Sequence, residues 1–169
     1  GAYTGDTVEA IVEMTAGKYS KIYCFEPDKK CLESLRKNAK NYKNIEIVEK
    51  GAWNKRDTLF VQEDSEHGAS TIGNGTGYEI EVDCIDNCIE ENVCVTHIKM
   101  DIEGSEIKAL EGAKNTISKY KPNLAICIYH KTDDLWKIPD LIHKMVPEYQ
   151  LYIRHHSCIF YDTVLYAKL

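Results

Sequence analysis

Three acids, Asp101, Glu103 and Glu106, lie close together in the segment Lys99-Met100-Asp101-Ile102-Glu103-Gly104-Ser105-Glu106. An apolar run, Val95 to Ile102, leads into them and reads as a strand. They therefore leave a strand at its carboxyl end, where open α/β sheets bind ligands. Carboxylates there can hold a cationic ligand, a substrate hydroxyl or a metal. Asp101 is the strongest functional candidate. No resident metal is expected; Asp101 and Glu103 are the residues that would hold one by oxygen ligation. Glu106 also has an ordinary explanation as the acid of a first helical turn. His130 ends a second apolar run, Pro122 to His130, and shares an edge with Asp101 if the two strands are parallel. A neutral imidazole there can take a proton from an attacking hydroxyl. The plain alternative is a strand-end histidine bonded to backbone. His97, His155 and His156 read as structural or surface residues, and His67 as exposed.

A different chemistry is offered at the start of the chain. Gly1-Ala2-Tyr3-Thr4-Gly5-Asp6-Thr7 sets two glycines before a helix, so the backbone can turn tightly and present free N–H groups to an anion. An ordinary strand-to-helix turn would look the same. The spacing is not GxGxxG, which weakens a dinucleotide reading. Glu26 ends the next strand and Pro27 stops it. An acid at that place bonds ribose hydroxyls in nucleotide-binding sheets, two oxygens to two hydroxyls; a solvated strand-end acid is the alternative. After the third strand, Gly51-Ala52-Trp53 can wall an adenine, or Trp53 can simply pack in the core.

These residues need a scaffold that brings strand ends together, and the periodicity supplies one. Gly5 to Ala16 reads as a helix, Lys21 to Glu26 as a strand, and a helix follows Asp28 with Cys31, Leu32 and Leu35 as its apolar stripe and Lys40 at its basic end. Ile45 to Lys50 is the third strand. Thr58 to Gln62 and Tyr78 to Val82 alternate as an antiparallel excursion around a glycine-rich loop, Gly68 to Gly75, that serves turns or covers a ligand. Past Val95 to Ile102 the pattern predicts a helix over 104–119, a strand buried on both faces at 122–130, a helix opened by Pro139 and closed by Pro147, and final strands at 150–154 and 160–168. The fold class is α/β: a doubly wound, mostly parallel sheet with a C-terminal antiparallel hairpin, in one domain over 1–169. Gly1 to Gly5 looks like the turn after a first strand, so the chain is expected to be truncated at its N-terminus, without that strand.

The bulk numbers narrow the function. Of 169 residues, 43% are hydrophobic and 28% charged, an ordinary globular balance, and the net charge of −6 speaks against a nucleic-acid backbone as partner. No run is long and apolar enough to span a membrane, and no signal peptide opens the chain. Seven cysteines, an odd number and mostly in apolar segments, read as reduced core thiols of a cytoplasmic protein; Cys84, Cys88 and Cys94 lack the spacing of a zinc site. Oligomeric state is not readable.

The segments GAYTGDT (1–7), CFEPD (24–28), GAW (51–53), IKMDIEGSE (98–106), ALEGA (109–113) and ICIYH (126–130) together resemble the FkbM-type methyltransferases, over nearly the whole chain. The resemblance implies a class I, Rossmann-like enzyme that uses S-adenosyl-L-methionine (SAM) and O-methylates hydroxyls of small molecules or sugars. By position it implies that Gly1, Ala2 and Gly5 line the methionine part of SAM with Asp6 and Thr7 close by. Glu26, followed by Pro27, would bind the ribose, and Ala52 and Trp53 would border the adenine. Asp101 would sit near the methionine amino group or the methyl, and His130 would face the acceptor. The family pattern has an acid-ending strand before the Gly-Ala pair, and here it has no counterpart. The alternatives are a SAM-fold domain without activity and a nicotinamide-dependent oxidoreductase, the latter disfavoured by the absent GxGxxG.

Overall fold

A computed structural model describes residues 1–63, 70–72, 77–159 and 161–169. His67, Phe160 and most of the glycine-rich stretch 68–75 lie outside the described residues.

The first half alternates as the periodicity requires. Helix α1 (Asp6–Met14) follows Gly5, strand β1 (Ile22–Phe25) comes next, and helix α2 (Lys29–Ala39) leads to β2 (Ile45–Val48). The α2 start is fixed by Asp28, whose side chain accepts from the backbone N–H groups of Lys30 and Cys31. Strands β1 and β2 pair in parallel. Val8, Cys24, Leu32 and Leu35 bury their side chains together between them and the two helices.

An antiparallel excursion follows. Gly51–Ala52 is not only a turn: it forms a short strand, β3, parallel to the end of β6 (Tyr78–Asp83). Strand β4 (Asp57–Glu63) pairs antiparallel with β6 and with β5 (Ser70–Ile72), so part of the expected loop is strand. Helix α3 (Ile85–Cys88) returns the chain to the main core.

The second half begins with β7 (His97–Met100), continues through α4 (Glu106–Glu111), α5 (Lys114–Tyr120), β8 (Asn123–Cys127) and α6 (Asp134–Met145), and closes with β9 (Gln150–His155) and β10 (Thr163–Lys168). The sheet order is β7-β8-β10-β9, with β7 and β8 parallel and β10 antiparallel to both neighbours. The C-terminal hairpin is thus as expected. The largest core lies here, where Leu110, Ile117, Leu124, Ile126, Ile128, Ile138, Ile142 and Leu165 are almost fully buried.

Three expectations are corrected. The helix over 104–119 is two helices. Asp86, from α3, accepts from the backbone N–H groups of Asn115 and Thr116 at 2.9 Å each and so caps a new helix start. Pro139 does not open α6 but lies inside it. The actual start is set by buried Asp134, whose carboxylate accepts from the Lys131 N–H at 3.0 Å, and proline's missing donor falls on Leu135, a half-exposed residue whose carbonyl water can serve. The cysteines are all free, but only Cys24 and Cys127 are buried, so fewer act as core residues than the apolar segments imply.

Candidate functional site

The carboxyl ends of β1, β3 and β7 open into one cleft of about 410 Å³. Among the residues singled out in the sequence, Gly1, Asp6, Thr7, Glu26, Pro27, Ala52, Trp53, Asp101 and Glu103 line it. Ala2, Gly5 and His130 do not. Lining residues with no distinctive sequence signal are Tyr3, Asp28, Tyr78 and Lys99, with an apolar wall of Val61, Ile80 and Val82.

The first wall is the glycine turn. Ala2 donates its N–H to the Phe25 carbonyl at the end of β1, 3.0 Å away. On its other side, Gly1 touches β7: a β-carbon there would collide with the Asp101 carbonyl oxygen. The turn therefore lies between the two strand ends. Gly5 has φ 91°, a left-handed value that a side chain resists, and leads directly into α1. So Ala2 and Gly5 shape the turn while their neighbours face the cleft. Glu26 is only 7% exposed. Its Oε2 accepts from the Tyr3 N–H at 2.8 Å and its Oε1 from the Asp28 N–H at 3.0 Å. Each oxygen keeps a further lone pair for a hydroxyl.

The second wall comes from the excursion. Trp53 donates its N–H to the Asp83 carbonyl at 2.8 Å and packs with Val61, Ile80 and Val82, so it is both core and cleft wall. Asp83 is buried, and Lys50 Nζ stands 2.9 Å from its Oδ2. Burial pushes the Asp83 carboxyl up, but bonds from Asn87, Lys50 and the Cys84 N–H outweigh it and hold the group below the usual range. Tyr78 donates to Asp28 Oδ2 at 2.6 Å, joining β6 to the cap of α2.

The third wall is the acidic one. Asp101 Oδ1 accepts from the Tyr129 hydroxyl at 3.0 Å, and Lys99 Nζ lies 3.7 Å from Oδ2. Burial, then the Asp101 charge, push the Tyr129 phenol well above its usual range. Glu103 adopts φ 54°, unusual for a residue with a side chain, and Gly104 follows at φ 84°. The resulting turn brings the Glu103 carboxylate 3.4 Å from His130 Nε2, with Asp101 Oδ1 also at 3.4 Å. Burial and the nearby Asp101 and Glu106 charges raise the Glu103 carboxyl, against the lowering effect of His130. Burial pulls His130 down, yet Glu106, Glu103 and Asp101 together raise it above the ordinary histidine value. His130 stands behind the wall made by Asp101 and Glu103 rather than in the cleft. Glu106 is fully buried and approaches His130 Nδ1 at 3.1 Å. Its helix-start position gave no sign of this, because the meeting with His130 arises only when β7 and β8 pair. His97, His155 and His156 are exposed and bond to Thr96, Thr163 and Tyr166.

The family described as "Methyltransferase FkbM domain" matches residues 1–156. Among solved structures, the chain is 32% identical to a methyltransferase FkbM from Methylobacillus flagellatus KT, with a TM-score of 0.83 over 99% of this chain. The chain spans 41% of that protein's length. An rRNA methylase from Streptococcus thermophilus is 15% identical with a TM-score of 0.53, covering all of this chain and 83% of its own. A candidate methyltransferase from Streptococcus mutans, solved in complex with SAH, is 14% identical with a TM-score of 0.54, covering all of this chain and 85% of its own. These last two show likeness of fold alone. No curated protein matches the chain. Among the described residues, no helix is long and apolar enough to cross a membrane.

Proposed function

The chain belongs to the FkbM methyltransferase domain family, and from that premise we propose that it transfers a methyl group from SAM to a hydroxyl oxygen of a small molecule or glycan. The observation that carries this reading is Glu26, held by the glycine turn at the mouth of a cleft that Trp53 and Asp101 also line. The fit to SAM is good in three respects. The cleft has the volume of a small-molecule site. The Glu26 oxygens keep lone pairs for two ribose hydroxyls. Asp6 and Asp101 offer negative charge to an ammonium or a sulfonium.

In this reading Gly1, Ala2, Gly5, Asp6 and Thr7 hold the methionine part, Glu26 and Pro27 the ribose, and Ala52 and Trp53 the adenine. The cofactor, when bound, supplies a methyl group already activated by its positive sulfur. The protein then has two tasks: to align the acceptor oxygen with that methyl and to receive its proton. Asp101 faces the acceptor and takes the proton, with His130 behind it as the base that draws the proton on. The chain's net charge of −6 supports an uncharged or cationic acceptor over a nucleic acid. Its free cysteines fit a cytoplasmic setting.

Calorimetry with SAM and with NAD tests the cofactor. SAM binds, NAD does not, and Glu26→Ala weakens SAM by about tenfold to a hundredfold, the loss expected for hydrogen bonds to a charged group. No heat with SAM, or an unchanged affinity in Glu26→Ala, would sink the reading. Consumption of SAM with a panel of hydroxyl acceptors separates an enzyme from an inactive binding domain.

A further inference from the structure

The acidic wall carries more than a proton relay. Among the described residues, the side-chain atoms that are buried without a hydrogen-bond partner include Glu106 Oε2, His130 Nδ1 and His130 Nε2. All three belong to one cluster. Glu106 is fully buried, and the His130 side chain is only 8% exposed. Carboxylates approach both ring nitrogens at 3.1 to 3.4 Å, yet none does so with hydrogen-bond geometry. A buried polar atom left unpaired is costly, so such a group of them needs an explanation. Ligands arrayed round an ion point at a common centre rather than at each other, which accounts for Glu106 Oε2 and one of the two ring nitrogens, since an imidazole gives an ion a single ligand atom.

We propose that Asp101, Glu106 and His130 bind a divalent cation of the magnesium or manganese class. One ligand atom from each of the three lies within 4.8 Å of the others. Ligands on opposite sides of an octahedral ion are about 4.2 Å apart and adjacent ones about 3 Å, from bond lengths of roughly 2.1 Å. The set therefore needs only a small contraction. Glu103 Oε2, 3.4 Å from His130 Nε2 on a partly exposed side chain, is placed to join as a fourth ligand. Two or three carboxylates with one imidazole favour a hard or intermediate ion over a thiophilic one. The charge balance agrees. Against three acids the nearby cations are Lys99, 3.7 Å from Asp101 Oδ2, and Lys131, whose amine is bonded to the Gly104 carbonyl. Ile102 N–H occupies Glu106 Oε1 at 2.8 Å, which leaves Oε2 for the ion. Tyr129 donates to Asp101 Oδ1 and so fixes the orientation of that ligand.

This deepens the methyltransferase reading and rests on it for its purpose. Asp101 and Glu103 line the cleft, so the ion would be reached from the acceptor side. It would acidify an acceptor hydroxyl that reaches it. Asp101 and His130 then serve as ligands, and acidification replaces the proton relay assigned to them above. The acceptor proton leaves to Glu103 or to water, the freed oxygen pair forms the bond to the methyl carbon, and the sulfur keeps the pair of the bond that breaks.

The test is manganese uptake by chelator-treated protein, followed by the loss of the free-ion electron paramagnetic resonance signal. Wild type should take up one Mn²⁺ per chain. His130→Ala and Glu103→Gln should each weaken uptake about tenfold or more. Glu33→Gln, an exposed acid on α2, should leave it unchanged. Glu103 is partly exposed, so its variant folds even if His130→Ala does not, and circular dichroism reports which have folded. No uptake at millimolar Mn²⁺, or uptake equal in wild type, His130→Ala and Glu103→Gln, overturns the site and leaves an imidazolium held by three carboxylates. Calorimetry with SAM on the same preparations keeps the two readings apart. SAM binding without manganese removes only the ion, whereas manganese binding without SAM removes only the methyltransferase assignment.

Discussion

Two walls of the same cleft treat their buried carboxylates in opposite ways. On the turn and excursion side, every carboxylate oxygen of Glu26 and Asp83 has a protein donor: the N–H groups of Tyr3 and Asp28 for Glu26, and Lys50, Asn87 and the Cys84 N–H for Asp83. On the β7–β8 side, Glu106 is more deeply packed than either, yet it and His130 keep orphaned atoms. The partnered groups are preorganised and hold their shape with nothing bound. The unsaturated ones are costly as they stand and gain when something completes them. Under the function proposed above, the first is the binding wall and the second the reacting wall, and their hydrogen-bond accounts differ in the sense those roles require.

The comparison can be broken most severely at Asp101. Asp101→Asn should lower kcat about a hundredfold, the usual scale for removing a proton-handling group. Its effect on SAM affinity should be smaller than that of Glu26→Ala. Equal effects of the two substitutions on kcat and on affinity would abolish the distinction between the walls. A smaller effect is expected from Gly5→Ala. A side chain at φ 91° is strained, and the added carbon would meet Leu35 Cδ1 at 3.1 Å, so stability should fall by about 1–2 kcal/mol. Thermal melts check this, and an unchanged melting temperature would mean the turn is not preorganised. The smallest effect concerns pH. Asp83 lies below its ordinary value in the folded chain. Its stabilisation is therefore complete above the unfolded value near 3.8 and is lost as pH falls through the lower folded value. Urea midpoints against pH should show an acid limb that flattens in Asp83→Asn, at a cost of about 1 kcal/mol near neutrality. A wild-type limb unchanged by the substitution would remove Asp83 from the satisfied set.

Much of the binding wall was legible in the sequence because its signals are local. Glu26 ends an apolar run, Pro27 stops it, and Asp28 caps the next helix within three residues. The glycine turn carries its own conformational demand. The reacting wall was legible only in part. Asp101 and His130 stand out at strand ends, but Glu106 reads as an ordinary first-turn acid until β7 and β8 pair and bring residue 130 beside it. The same limit explains the misplaced helix boundaries. The cap of α5 is Asp86, some thirty positions upstream of the N–H groups it serves, and no window along the chain contains both. Tyr78 was read as the start of a strand, and its bond to Asp28 spans fifty positions. Pro139 misled because proline at a helix start is the commoner arrangement. Here a buried Asp134 outweighed it.

One earlier feature bears on how the molecule moves. The core of the β1–β2 pair and that of β7-β8-β10-β9 are distinct clusters, joined by Phe25 of β1, which packs against the larger one. The short run Gly1–Ala2 touches the ends of β1 and β7. A ligand seated across the glycine turn should therefore slow amide exchange at the ends of β1 and β7 together.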